Sequence, residues 1–102
     1  MSLVVTGLNH RTSDLALRER FVFPDEALPK ALKSLRDRIE DAGAVILSTC
    51  NRSEIYVNHA GDAADLHHEV TEFLAEWNQI PVAEFEPALY RYDGRETIGH
   101  LF

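Results

Sequence analysis

Ala44-Val45-Ile46-Leu47-Ser48-Thr49-Cys50-Asn51-Arg52-Ser53-Glu54-Ile55-Tyr56-Val57 decides how this chain is read. Two β-rich apolar runs, 44–47 and 55–57, flank a short polar stretch, the pattern of an antiparallel hairpin whose tight connection is Thr49–Ser53. The first run is unbroken, as expected of a central strand buried on both faces. The chain's only cysteine, Cys50, falls on the connection, with Arg52 two residues later. A nearby guanidinium favours thiolate, the reactive form of the side chain, and a turn gives it access to solvent. The competing reading of a lone cysteine is a small buried hydrophobe.

Upstream, Leu3-Val4-Val5-Thr6-Gly7-Leu8 reads as a first strand closed by the polar Asn9-His10-Arg11-Thr12, with Gly7 marking a bulge or a close backbone approach. Ser13 can cap a short helix that runs to about Phe21. Pro24-Asp25 then opens a helix with Asp25 as N-cap; Leu28, Leu32, Leu35 and Ile39 recur at helical spacing, and Gly43 ends it. Downstream of the hairpin, Asp62 caps a helix whose apolar face is Leu66, Val70, Phe73, Leu74 and Trp77, with Glu69, Glu72 and Glu76 on another face. After a break at Pro81, Ala88-Leu89-Tyr90-Arg91-Tyr92 reads as a fourth strand, and Asp93-Gly94 turns into a last helix carrying Ile98, His100, Leu101 and Phe102.

Strand, helix, strand, strand, helix, strand is the split β-α-β order of an α+β, ferredoxin-like fold: a four-stranded antiparallel sheet with helices packed on one face. The 102 residues suit one such domain, and the apolar Leu101-Phe102 end reads as a cut inside a longer protein.

Composition narrows the function classes. No apolar run approaches the roughly 20 residues of a membrane helix, and no basic-then-apolar leader is present, so the expected compartment is the cytoplasm. One cysteine makes neither an internal disulfide nor, alone, a zinc site. A net charge of -7 argues against general affinity for nucleic acid. Residues 1–58 are neutral, however, with eight basic and eight acidic side chains, whereas 59–102 hold two basic and nine acidic. If an anionic partner binds this chain, it should approach the N-terminal half.

If Arg52 faces the same pocket as Cys50, its planar fork suits a carboxylate bound through two N–H groups, which a lysine binds less selectively. His10 and His100 are readable as surface or core residues or as proton carriers. The adjacent His67 and His68 point to different sides of a helix and lack i+4 partners, so no metal site is expected. Tyr56, Tyr90 and Tyr92 read as sheet residues.

Ser48-Thr49-Cys50-Asn51-Arg52-Ser53-Glu54-Ile55-Tyr56 closely resembles the signature of the glutamyl-tRNA reductase family, whose usual form has Thr where Ser53 stands. Gly7-Leu8-Asn9-His10-Arg11-Thr12 and Leu17-Arg18-Glu19-Arg20 match that family's opening, and His100-Leu101-Phe102 its next block. Ser13-Asp14 departs from a frequent Ala-Pro, which implies a local change in that loop.

The resemblance implies a single N-terminal catalytic, glutamyl-tRNA-binding domain over residues 1–102, with an inter-domain helix starting at about 94–102. It implies reduction of glutamyl-tRNA by NADPH to glutamate-1-semialdehyde, the first step of five-carbon tetrapyrrole synthesis. Cys50 would be the nucleophile forming a thioester, and His100 would orient the ester or assist proton transfer. Arg52 would hold the substrate carboxylate, with Thr49 and Asn51 hydrogen-bonding the glutamyl group. NADPH would be held by a separate domain, since no Gly-x-Gly-x-x-Gly is present. Glutamate-1-semialdehyde aminomutase and homodimerisation through a C-terminal domain are the implied partners. The alternative is a ferredoxin-like regulatory or RNA-binding module with an incidental or redox-sensing cysteine.

Overall fold

The computed structural model describes residues 2–101, and it leaves the side chains of residues 98, 100 and 101 outside that description. Its frame is a four-stranded sheet in the order β2-β3-β1-β4, built from β1 (Ser2–Asn9), β2 (Gly43–Ser48), β3 (Arg52–His59) and β4 (Tyr90–Asp93). All three pairings are antiparallel. This is the expected ferredoxin-like arrangement, in which each strand–helix–strand unit leaves a gap that another strand fills.

Successive side chains of a strand point to opposite faces, and the register sorts them cleanly. Val4, Thr6 and Leu8 of β1 share one face with Ile55 and Val57 of β3 and Ile46 of β2. Onto that face pack α2 (Leu28–Arg38) through Ala31 and Leu35, and α3 (Ala63–Asn78) through Leu66, Val70, Phe73 and Leu74. Phe23 packs against both Phe73 and Trp77, with ring centroids 6.4 and 6.1 Å away, and Phe21 meets Phe85 at 4.9 Å. Arg38 of α2 clamps the two helices by pairing with Glu69 at 3.1 Å and with Glu76.

The helix boundaries differ in detail from the sequence expectations. The short α1 (Leu15–Arg20) is capped by Asp14, whose Oδ1 accepts from the Leu17 amide at 2.9 Å, and not by Ser13. Ser13 is engaged elsewhere, its Oγ donating to the Asn9 carbonyl at 2.7 Å. Asp25 opens a single 3₁₀ turn, Asp25–Ala27, before α2 begins at Leu28 with Pro29 in its first turn. Gly43 does not end α2: the helix stops at Arg38, and Asp41, at φ 61°, supplies the left-handed residue. Gly43 instead opens β2. After Pro81 lie the short α4 (Val82–Phe85), which the sequence reading left out, and a 3₁₀ turn at Glu86–Ala88. Finally, α5 (Gly94–Leu101) leaves β4 through Gly94 at φ 57° and settles against β1, where Thr97 Oγ1 donates to the Leu3 carbonyl at 3.3 Å.

Two features of the hairpin also differ. β2 is an edge strand, not a central one; Ile46 is its only buried residue, and Val45 is 54% exposed. The strands reach further than their apolar runs, so the connection shrinks to Thr49–Asn51. Polar Ser53 and Glu54 lie buried within β3 because both find hydrogen-bond partners there.

Gly7 marks no bulge, since the ladder is continuous from Ser2 to Asn9, but it does mark a close approach. A Cβ there would sit 2.6 Å from the Ser53 carbonyl oxygen and 2.9 Å from Glu54 Cγ. At Gly43 the nearest atoms are 3.9 Å away. Urea unfolding should therefore show Gly7→Ala losing roughly 1–3 kcal/mol or more by overpacking, whereas Gly43→Ala stays within about 1 kcal/mol of the parent.

Candidate functional site

The 49–51 turn stands where β1 ends and β3 begins, so the loop that follows β1 lies beside it. Asn9 shapes that loop: its Oδ1 accepts from the amides of Arg11 (2.9 Å) and Thr12 (3.2 Å), and its carbonyl accepts from those of Thr12 (3.1 Å) and Ser13 (3.0 Å). A side chain that copies a backbone turn in this way needs a short amide or carboxylate. The loop then grips its neighbour, the His10 amide donating to the Asn51 carbonyl at 3.0 Å.

Within the turn, the Thr49 amide donates to the Arg52 carbonyl at 2.8 Å. Thr49 Oγ1 accepts from the amides of Asn51 (3.1 Å) and Arg52 (3.2 Å). A hydroxyl that accepts twice keeps one proton to donate. On the core side, Ser48 Oγ accepts from the Phe23 amide at 2.8 Å and lies 3.1 Å from Ser53 Oγ, which donates to the Phe21 carbonyl at 2.8 Å. Ser53, where the resembled signature has Thr, thus needs only the hydroxyl common to both.

Cys50 is exposed on this turn, so the buried-hydrophobe reading of it fails. A guanidinium does touch the residue, but it belongs to Arg18 of α1, whose Nε donates to the Cys50 carbonyl at 3.4 Å while Nη1 holds the Ser13 carbonyl at 2.8 Å. Arg52 turns along the opposite face of the sheet, its Nη1 3.4 Å from Oε1 of Glu54. Its side chain remains 41% exposed, which leaves other donors of the fork open to solvent.

Glu54 is fully buried. Tyr56 donates to its Oε1 at 3.2 Å and Tyr90 to its Oε2. Burial first, and then the adjacent carboxylate, push the Tyr56 phenol up to about 12 and raise that of Tyr90 as well. Both phenols therefore stay protonated and donating through the neutral range.

Asn51 and Arg52 line one recess of about 260 Å³ together with Asn9, His10 and Arg11. Thr49 and Cys50 stand beside it and do not line it. His100 belongs to α5, and its side chain lies outside the described residues. Asn9, Arg18, Glu54 and Tyr90 were not singled out from sequence as site residues. The available signal for Glu54 and Tyr90 was a glycine in a strand, whose missing side chain leaves room for a neighbour's.

His67, on α3, is half-buried with Nδ1 2.8 Å from Thr6 Oγ1, and burial followed by the nearby Arg91 lowers its pKa. Among the described residues no group of His, Cys, Asp and Glu is arranged to hold a metal ion, and no helix is long and apolar enough to cross a membrane.

Fold and site together define an α+β ferredoxin-like domain that presents an exposed thiol on a braced turn amid arginines. The family described as glutamyl-tRNAGlu reductase, N-terminal domain, matches residues 6–102. The chain is 42% identical over 102 residues to a glutamyl-tRNA reductase of Neisseria meningitidis, covering 100% of this chain and 23% of that protein. It is 43% identical over 101 residues to one of Shewanella sediminis and 42% identical to one of Shewanella halifaxensis, covering 99% of this chain and 23% of each. The chain belongs to the glutamyl-tRNA reductase family and spans about a quarter of the length of these relatives.

The tyrosine bonds give the site a pH signature. A phenol whose folded pKa lies above its unfolded value of about 10 contributes stability below that pH and loses it as pH rises through about 12. Stability of the parent should fall across that window, and Tyr56→Phe should flatten the fall and remove phenolate absorbance titrating near the top of it.

Proposed function

We propose that this chain is the glutamyl-accepting part of a glutamyl-tRNA reductase, acting in the first step of five-carbon tetrapyrrole synthesis. The observation that carries the reading is an exposed thiol on a turn fixed from three directions, beside a recess that Arg52 lines. Family membership supplies the substrate class, since the relatives are reductases of glutamyl-tRNA.

In this reading the Cys50 thiolate attacks the carbonyl carbon of the glutamyl ester. A C–S bond forms, the C–O bond to the terminal ribose of the tRNA breaks, and the departing ribose oxygen takes a proton. His100 assists that transfer or orients the ester. The open donors of Arg52 take the side-chain carboxylate, which separates glutamate from glutamine by charge and by fork geometry. The remaining Thr49 proton and the Asn51 amide hydrogen-bond the glutamyl group.

A thioester is more readily reduced than an ester, and NADPH is the proposed reductant. The described residues do not fit that cofactor: the sheet is wholly antiparallel, and neither glycine-bearing strand-to-helix step, at Gly61 before α3 or at Gly94 before α5, has the Gly-x-Gly-x-x-Gly run that cradles a pyrophosphate. No step through NADPH is therefore assigned to this chain. Residues 1–102 act as one catalytic domain, with α5 leading toward the rest of a cytoplasmic homodimer that passes its aldehyde to an aminomutase.

The test is trapping of the acyl-enzyme. In the full-length protein without NADPH, tRNA charged with labelled glutamate should label Cys50, and Cys50→Ser should abolish both labelling and reduction; an unlabelled parent sinks the reading. Arg52→Lys should lower kcat/KM for glutamyl-tRNA about 10- to 100-fold, the scale of a lost charge-assisted contact. Arg36→Glu, at an exposed position on α2, should change it far less.

A further inference from the structure

Glu54, Gly7 and Tyr90 form one row across three strands, with Glu54 of β3 opposite Gly7 of β1 and Gly7 opposite Tyr90 of β4. Because residue 7 has no side chain, the Glu54 chain lies over it and reaches the Tyr90 hydroxyl on the far side. Tyr56 holds the other carboxylate oxygen at 3.2 Å, and that same oxygen faces Nη1 of Arg52 at 3.4 Å. The carboxylate is thus fixed at both oxygens, and one corner of the Arg52 guanidinium rests on it.

We propose that Glu54, locked by Tyr56 and Tyr90 across Gly7, is a positioning residue that aims Arg52 and so sets the preference for a glutamyl over a glutaminyl group. The proposal rests on the reading that Arg52 takes the substrate carboxylate.

Burying a carboxylate is costly, and an apolar residue at 54 would pack over Gly7 without that cost. What the carboxylate adds is direction. A free arginine must give up its rotamer freedom when ligand binds, whereas one already held at Nη1 has given it up during folding. Glu54 also spares the remaining donors, since a single contact occupies only one corner of a five-donor fork.

The experiment compares kcat/KM for one tRNA esterified with glutamate or with glutamine, using the full-length enzyme with NADPH. The parent is set beside Tyr56→Phe/Tyr90→Phe, Arg52→Lys and the triple variant. Phenylalanine keeps the rings and removes only the donors. The tyrosine pair should lower the glutamate-to-glutamine ratio about tenfold, Arg52→Lys should lower it too, and the triple variant should fall no further than Arg52→Lys.

Cys50 alkylation by iodoacetamide, which reads the integrity of the turn, should keep the parent rate in the tyrosine variants. If the pair does not fold, Tyr56→Phe, which leaves the Tyr90 bond in place, provides the same comparison. An unchanged ratio in the tyrosine variants while Arg52→Lys lowers it overturns the positioning role alone. An unchanged ratio in Arg52→Lys overturns the reading of Arg52 and this proposal with it. Multiplying effects in the triple variant, or a matching change in alkylation, show action by another route and also overturn it.

Discussion

The pairing of β1 with β3, unbroken from Ser2–His59 to Asn9–Arg52, is the constraint on which both the core and the site depend. A slip of one residue would send every side chain of a strand to the other face. Val57 and Ile55 would leave the helices, and Glu54 would enter the apolar core, parted from the Tyr90 phenol of β4. The same register brings Gly7 opposite Glu54, the one position in β1 where the carboxylate can lie flat over the neighbouring strand. Packing on one face and hydrogen bonding on the other therefore select the same alignment.

A hairpin turn at the edge of a sheet is ordinarily mobile. Here the turn is held on the core side by Ser48 and Ser53, which tie it to Phe21 and Phe23, and laterally by His10 and Arg18. On the remaining face, Arg52 is tied through Glu54 to Tyr56 and Tyr90. None of these contacts uses the Cys50 side chain. Fixing the backbone while leaving the thiol exposed is what a nucleophile requires, because attack needs a held geometry and an unobstructed sulfur.

The order of elements was legible because two long amphipathic helices and an apolar hairpin carry strong periodicity, and the ferredoxin-like class followed from it. The burial of β2 was not. Ala44-Val45-Ile46-Leu47 has the composition of a doubly covered strand, yet Val45 faces solvent; which strand occupies an edge depends on the whole chain. Local chemistry also offered equivalent candidates: Ser13 and Asp14 both cap helices well, and Asp41 took the left-handed position expected of Gly43. In the candidate site, Cys50 was legible because a unique thiol on a polar turn is a local fact. The partner of Arg52 was not, because Glu54 is fixed by Tyr90, 36 residues away.

Charge shows the same difference between sequence and fold. By sequence, the N-terminal half is neutral and suits an anionic partner only by comparison with the acidic remainder. In the structure, His10, Arg11, Arg18 and Arg52 gather at the end of the ladder marked by Asn9–Arg52. Asp37, Glu40, Asp41, Asp62 and Asp65, with the paired Arg38 and Glu69, line a depression at the other end, beside His59 and Gly61. Seven residue steps of about 3.4 Å separate the two ends by roughly 24 Å, about three times the Debye length of ~8 Å at physiological salt. The acidic end therefore does little to cancel the cationic one. A protein of net charge -7 can present a positive surface where its thiol is, and the excess acid elsewhere discourages an anion from settling in any other place.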